Sequence, residues 1–437
     1  MKKKEILLYI TTHLKDTSWC ILHGKEGSFY EITSDVDVLL SKQAQNKLLS
    51  LAVSGEIKIV QALQHETSCF YYVFASKDDG KWEFLTFDTA TDYRRNGRIF
   101  YKANDVLKDL RESAEGIPLA APAIAFGYYF AKKMAKKELL ATQVHHLNEL
   151  WQEDKKKCEA EIMRLLPSAF AALVVQAAKD KEWQPVIKNI TSLRRAMFSR
   201  LARSNPRDVA AYWWGEIGRF TRRITHPTGI WVALMGMDGA GKSSVLETVL
   251  ADISPIGRKI ARYHFRPRLG LLLTPSLMVS KPHEQTKRNW ATSIAKLLYY
   301  FSDYLLGFWT QILPQLVSST IIIFDRYYQD LLIDPQRYRY GGPRWLVKLV
   351  NRSIPQPDLF IYLDLPAETA IARKPEITLE CARRLREKYL RLAQNQGNRA
   401  RVVNANQPLE AVVSEVEQII LDYMEVRTIC RLRKIEE

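Results

Sequence analysis

Apolar positions fall into two kinds of pattern, and the pattern changes near residue 228. In the second half, strand-like runs recur at 230–235, 259–265, 320–324, 358–363 and 401–403. Short apolar runs bounded by polar turns read as strands, and the intervals between them carry helical spacing, beginning with Val245/Val249 and Leu246/Leu250. Alternation of this kind predicts a parallel sheet covered by helices on both faces. The runs Ile321-Ile322-Ile323-Phe324 and Leu359-Phe360-Ile361-Tyr362-Leu363 are apolar throughout, as strands buried on both faces are. The most apolar long stretch, 294–317, carries Lys296, Asp303, Gln311, Pro314 and Gln315, so a buried core helix is expected there and not a membrane span.

The first hundred residues predict a short helix over 4–15 and strands at 19–22, 34–40, 57–63, 69–75 and 82–87, with Asp78-Asp79-Gly80 as a hairpin turn. Alternation within 34–40 puts Asp35 and Asp37 on one face of one strand, and Asp88 follows the last strand. Unpaired carboxylates on one face repel, and if buried a divalent cation between them relieves the repulsion. Residues 104–227 read as helical: a run capped by Asn104-Asp105 through Arg111, then 122–140, 142–161 and 165–178. The breaker-rich His226-Pro227-Thr228-Gly229 marks a boundary. The expected organisation is 1–103, an α/β domain; 104–227, a helical region and basic linker; and 228–437, a second α/β domain.

Composition narrows the picture only slightly. The 437 residues are 47% hydrophobic and 26% charged, ordinary for a soluble globular chain of two or three domains. The net charge of +16 favours anionic partners without choosing among nucleotides, nucleic acid and an acidic membrane. Five scattered cysteines give no disulfide frame or zinc site, and fit a reducing cytosol. The apolar run after Met1-Lys2-Lys3-Lys4 is too short for a signal peptide, so a cytoplasmic protein is expected, with attachment at the inner membrane face as an option. The charge is densest from Leu193 to Arg223, where arginines interleave with Phe198, Tyr212, Trp213, Trp214 and Phe220. The preferred reading is an Arg-rich helix pair packing its aromatics between domains; the alternatives are an anionic membrane surface or a phosphorylated polymer.

Chemistry concentrates at Gly236-Met237-Asp238-Gly239-Ala240-Gly241-Lys242-Ser243, which has the G-x-x-x-x-G-K-[ST] spacing of a phosphate-binding loop between a strand and a helix. Glycines let backbone N–H groups close on phosphate oxygens, and the helix N-terminus adds partial positive charge. Lys242 is expected on the β/γ-phosphates and Ser243 on Mg²⁺. The nucleotide-binding set is Gly236, Gly239, Ala240, Gly241, Lys242, Ser243 and Ser244, with ATP and Mg²⁺ as cofactors.

Around this loop the second half resembles the thymidylate kinase family. Asp325-Arg326-Tyr327 stands where that family ends a strand in Asp-Arg-Tyr, Pro357-Asp358-Leu359 leads into the next strand, residues 380–393 look like the helix after the lid, and Val403-Asn404 resembles the adenine loop. The resemblance implies that Asp325 orients Mg²⁺ and that Arg326 clamps the acceptor or the transferred group. Asp238 would accept a bond from a sugar hydroxyl or act as base, and Asn404 would lie near the adenine. Some members carry an arginine in the loop where this chain has Gly239, so the transition-state cation is expected from Arg373 and Lys374, then Arg383 or Arg384. The departures fall on the acceptor side. Tyr304 replaces an arginine, the second-strand motif shrinks to Arg266-Pro267-Arg268, and residues 328–343 replace the base-binding segment. Arg337-Tyr338-Arg339-Tyr340 suits a phosphorylated or carbohydrate acceptor, and the segment resembles thymidylate kinase-like proteins associated with surface polysaccharide synthesis.

The N-terminal residues resemble the nucleotidyltransferase superfold, through His23-Gly24, then Asp35-Val36-Asp37, then Asp88. That resemblance implies that Asp35, Asp37 and Asp88 hold Mg²⁺ ions. A helical bundle commonly follows such a core.

The expected fold is therefore α/β: a P-loop three-layer α/β/α parallel sheet, preceded by an α+β nucleotidyltransferase-like domain with a helical bundle. The leading function is an ATP-dependent phosphotransferase acting on a sugar, sugar phosphate or glycan. Alternatives are a dTMP kinase, a bifunctional enzyme and a non-catalytic nucleotide-binding regulatory module. Expected partners are the acceptor, an anionic membrane surface and a second copy of the chain, with no specific nucleic acid.

Overall fold

The structure, a computed structural model, describes residues 1–23, 32, 35–269 and 286–436, without the side chains of 52–54 and 433–436. Contacts divide it into two units, residues 1–221 with 432–437, and residues 222–431.

In chain order the first unit contains α1 (Lys3–His13), β1 (Trp19–Ile21), β2 (Val36–Leu40), α2 (Lys42–Ser54), β3 (Lys58–Glu66), β4 (Cys69–Asp78), β5 (Lys81–Ala90), β6 (Asp92–Arg95), β7 (Arg98–Lys102), α3 (Ala103–Val106), β8 (Leu110–Glu112) and β9 (Pro118–Ala120). The helices α4 (Pro122–Lys136), α5 (Ala141–Glu153), α6 (Lys155–Leu165), α7 (Ser168–Asp180), α8 (Gln184–Lys188), α9 (Ile190–Ser204) and α10 (Pro206–Thr225) follow, the last running across the division at residue 221. Strands run in the order β3-β4-β5-β2-β1-β9-β8, with β2 parallel to β5 and antiparallel to β1. Ile6, Leu7 and Ile10 of α1 and Leu48 of α2 join Val38, Leu40, Phe74 and Phe87 in one core on this sheet. The helices bury a second core around Phe126, Phe130 and Trp151.

Several expectations change here. The helix predicted over 104–111 is one turn, and residues 110–112 pair as β8 with β9. The run 142–161 breaks at Asp154, whose side chain caps the next helix by accepting from Lys157 N–H. The turn at Asp79-Gly80 forms with positive φ at both residues, as a two-residue hairpin requires.

The second unit contains β10 (Ile230–Gly236), α11 (Lys242–Asp252), β11 (Lys259–His264), α12 (Trp290–Gly307), α13 (Leu313–Val317), β12 (Thr320–Asp325), α14 (Gln329–Ile333), α15 (Arg344–Ser353), β13 (Leu359–Asp364), α16 (Ala367–Arg373), α17 (Leu379–Gln396), β14 (Ala400–Asn404) and α18 (Leu409–Glu436). Its five strands are all parallel, in the order β11-β12-β10-β13-β14, and flanked by helices, as expected of a P-loop fold. The stretch 294–317 is helical but only partly buried: Leu298, Leu306 and Trp309 are exposed. Its helical turns widen over Phe308–Ile312, next to Pro314, whose nitrogen carries no hydrogen to donate. Among the described residues, no helix is long and apolar enough to cross a membrane.

Candidate functional site

Carboxyl ends of the parallel strands gather on one edge, where ligands of open α/β sheets bind. β10 ends in the glycine-rich loop, β12 in Asp325 and β13 in Asp364. Lys242 opens α11 and folds back over the loop, donating to the carbonyls of Gly236 at 2.9 Å and Met237 at 2.7 Å. Burial and the neighbouring Arg326 push its pKa down to about 7. Ser243 and Ser244 are exposed on the first turn of α11.

Gly239 has φ +83°, and a Cβ there would lie 2.9 Å from the Ala370 carbonyl. Close approach by α16 thus explains why a side chain, an arginine included, is excluded from this loop position. From α16, Arg373 Nη1 donates to the Gly239 carbonyl at 3.4 Å, which places its guanidinium beside the loop. Lys374 pairs with Glu376 at 3.0 Å, beside the same cleft as Asp238, Arg326 and Arg337. Arg383 and Arg384 are on the outside, paired with Glu368 and Glu380.

On the acceptor side, charges interlock. Arg326, only 3% exposed and at φ +67°, donates to Asp330 at 2.6 Å and to Asp238 at 2.7 Å. Arg337 also donates to Asp238, while Tyr338 and Tyr389 donate to Asp330. Burial opposes ionisation of Asp238, but Arg326 and Arg337 outweigh it and hold the carboxyl well below the usual range. So placed, Asp238 is a hydrogen-bond acceptor and a weak base.

The sequence pointed to Arg326 and Asp238 but not to Asp330, Tyr338 or Tyr389 as their partners. The Arg-x-x-x-Asp spacing across Arg326 and Asp330 was the available signal. Arg386 also went unassigned; it grips Asp364 through two bonds of 2.7 and 2.8 Å. Tyr304, in place of the expected arginine, donates to the Phe265 carbonyl inside an aromatic cluster with Tyr327 and Tyr328. Asn404 ends β14 beside Asp364, and its side chain accepts from Asn406 N–H.

The site also bears on Mg²⁺. Asp325 Oδ2 lies 3.4 Å from His264 Nδ1, whereas Oδ1 is buried and accepts no hydrogen bond among the described residues. Burial works against the Asp325 charge, and His264 and Lys242 hold its pKa low despite this. An ionised carboxylate with a spare oxygen, near a loop that gathers phosphates, suits a hard cation that shares its ligands with substrate phosphate. Ser243 and Asp325 would hold it.

The first unit brings its carboxylates together as well. Asp37 and Asp88 pair in register on β2 and β5, and Asp35 accepts from Thr86 at 2.7 Å and Tyr71 at 3.0 Å. Asp37, fully buried, takes His23 Nε2 at 2.6 Å and the Lys132 ammonium on one oxygen. Burial raises its pKa, yet His23 and Lys132 overcome this and keep it ionised. Asp88 is pushed up to about 6 by burial and by the Asp37 charge, with Arg95 opposing from 3.8 Å. Protein cations therefore supply the countercharge. Among the described residues, no group of three or more His, Cys, Asp or Glu converges as a metal-ligand set. Gly24 lies outside the described residues.

A glycine-rich loop on the first of five parallel strands in the chain, with a lysine-led helix behind it and Asp-Arg at the next strand end, defines a P-loop phosphotransferase class. Residues 234–416 match the family model of thymidylate kinase, so this stretch is thymidylate kinase-like.

Proposed function

We propose that the second unit transfers the γ-phosphate of ATP to a phosphorylated acceptor, a sugar phosphate or phosphorylated glycan end, in surface polysaccharide synthesis. The observation that carries this reading is the convergence of Arg326 and Arg337 on one carboxylate, Asp238, at the rim of the phosphate loop. Two guanidinium groups placed to hold a carboxylate can also hold a phosphate, which offers the same acceptor oxygens. A neighbouring pocket supports an anionic acceptor. Arg288, Lys296 and Arg339 line it together with Tyr300, Tyr338 and Tyr340. Burial, Arg288, Arg266 and Arg339 push Lys296 down to about 8, so an arriving anion relieves repulsion among these cations.

Phosphoryl transfer is mostly positioning and charge neutralisation. Lys242 and the loop N–H groups would hold the donor. Mg²⁺, when bound by Ser243 and Asp325, would neutralise charge on the donor phosphates. Arg373 neutralises charge from the α16 side, and Arg326 with Arg337 orients the acceptor. Asp238, once released, accepts a hydrogen bond from an acceptor hydroxyl. A second reading, in keeping with the family match, is a nucleoside monophosphate acceptor such as dTMP, held by the same arginines.

Transfer from γ-labelled ATP into sugar phosphates, lipid-linked glycans and nucleoside monophosphates tests the assignment. Label in a sugar phosphate or glycan supports it, and label in dTDP alone favours the second reading. ATP binding with no transfer to any acceptor overturns both and leaves a regulatory module.

A further inference from the structure

Helix α10 has two unlike faces. On one, Tyr212 packs so closely on Gly97 that a Cβ there would lie 2.5 Å from Tyr212 Cβ. Asp208 reaches Arg94 at 4.0 Å, and Arg219, 6% exposed, covers the Tyr212 ring and pairs with Glu216. This face ties the helix to the β6–β7 hairpin.

The other face carries Trp213, Ile217, Phe220 and Ile224, spaced i, i+4, i+7, i+11, which is a single stripe at 3.6 residues per turn. Trp213, Ile217 and Phe220 are each 63% exposed, and Trp214 at the stripe's edge is 81% exposed. The expectation that the aromatics pack away is therefore not met by Trp213, Trp214 and Phe220. Only Phe198, on α9, is buried, against Phe100.

We infer that the Trp213–Trp214–Ile217–Phe220 stripe of α10 is a docking face for an anionic lipid surface, on which the helix lies in the plane of the headgroups. An exposed row of Trp, Phe and Ile on a helix otherwise rich in arginine is the pattern of an interfacial helix. Tryptophan suits that depth because its ring is apolar and its N–H stays hydrogen-bonded to the wet side. The charge is complementary: Arg207 and Arg222 are exposed on α10, Arg195 and Arg203 on α9, and the chain carries +16 overall. A second copy is a poorer occupant. Isologous pairing would bring these arginines toward their own equivalents, and the acids of α10, Asp208 and Glu216, are already paired with Arg94 and Arg219. This inference does not depend on the identity of the phosphoryl acceptor.

Flotation of the full chain with phosphatidylcholine vesicles, with and without phosphatidylglycerol, tests it, alongside quenching of tryptophan by bromine-labelled lipid. The wild type should float with the anionic vesicles. Trp213→Ser with Trp214→Ser should weaken that binding at least tenfold, and Arg207→Gln with Arg222→Gln should remove the preference for phosphatidylglycerol. Both pairs are surface positions, so the circular dichroism spectrum and ATP affinity should stay unchanged. Failure of the wild type to bind either vesicle overturns the inference. So does equal binding by the tryptophan variant, or a concentration-dependent dimer that the tryptophan substitutions abolish.

Discussion

Asp330 is the buried keystone of the acceptor side, and its removal gives a sharp test. Its carboxylate, with no exposure, accepts from Arg326 at 2.6 Å, Tyr338 at 2.9 Å and Tyr389. Asp330→Ala strips one partner from a guanidinium that is itself 3% exposed and leaves it, among the described residues, only Asp238 as a charged neighbour at hydrogen-bond distance. Breaking a buried pair from one side costs about 3–5 kcal/mol, because the remaining charge stays desolvated. For a unit of this size, that is a fall in melting temperature of roughly 6–20 °C. The double variant Arg326→Met with Asp330→Leu removes both charges and should lose less than the sum of the two single changes, with a coupling above about 1 kcal/mol. The pH dependence has a definite sign. Arg326 outweighs burial and holds the Asp330 pKa below its ordinary value, so its stabilisation is complete above the unfolded pKa of about 3.9 and is lost as pH falls through the folded value. The gap between wild type and Asp330→Ala, measured by urea denaturation, should be flat from neutral pH down to about 5 and close only in stronger acid. Additive single changes, or a gap that widens in acid, would refute the reasoning.

Other outcomes follow from the same geometry. Gly239→Ala places a Cβ against the Ala370 carbonyl at positive φ, a strain on the order of 1–2 kcal/mol. ATP affinity by calorimetry should fall about tenfold, and an unchanged affinity would show that the loop does not need this approach. Arg373→Gln should lower kcat by about 10²–10³ with ATP affinity nearly unchanged, since the guanidinium is assigned to charge that develops during transfer. In the first unit, the raised pKa of Asp88, about 6, means that between about pH 3.9 and 6 the native state holds more protons than the unfolded one. Stability should therefore fall as pH rises through that window, and Asp88→Asn should remove the fall and add up to about 3 kcal/mol at pH 7. A variant no more stable than wild type at pH 7 would place Asp88 in a more solvated setting.

Much of the second unit was legible. The five strand runs at 230–235, 259–265, 320–324, 358–363 and 401–403 all form, with bounds shifted by a residue or so. Continuous apolarity marks a buried parallel strand whatever lies beside it. The first unit was harder to read, because α2, β6, β7, β8 and β9 are short or weakly patterned and gain their order from neighbours. The hairpin of β6 and β7 is held from outside: Glu66 accepts from the Asn96 and Gly97 N–H groups, and Arg98 donates to the Phe198 carbonyl.

The phosphate loop belongs to what the sequence determined alone. Its glycines set local backbone angles, and its lysine is fixed by position on the helix that follows, so a contiguous motif suffices. Charge pairing is of another kind. Arg337 meets Asp238 across 99 residues, and Lys132 meets Asp37 across 95. No periodicity carries such information, because the partner of a charge is decided by which elements pack together and how much water they exclude. Only the tertiary structure shows that the loop's aspartate is gripped by two arginines, that Arg373 reaches the Gly239 carbonyl from α16, and that α10 turns its tryptophans outward.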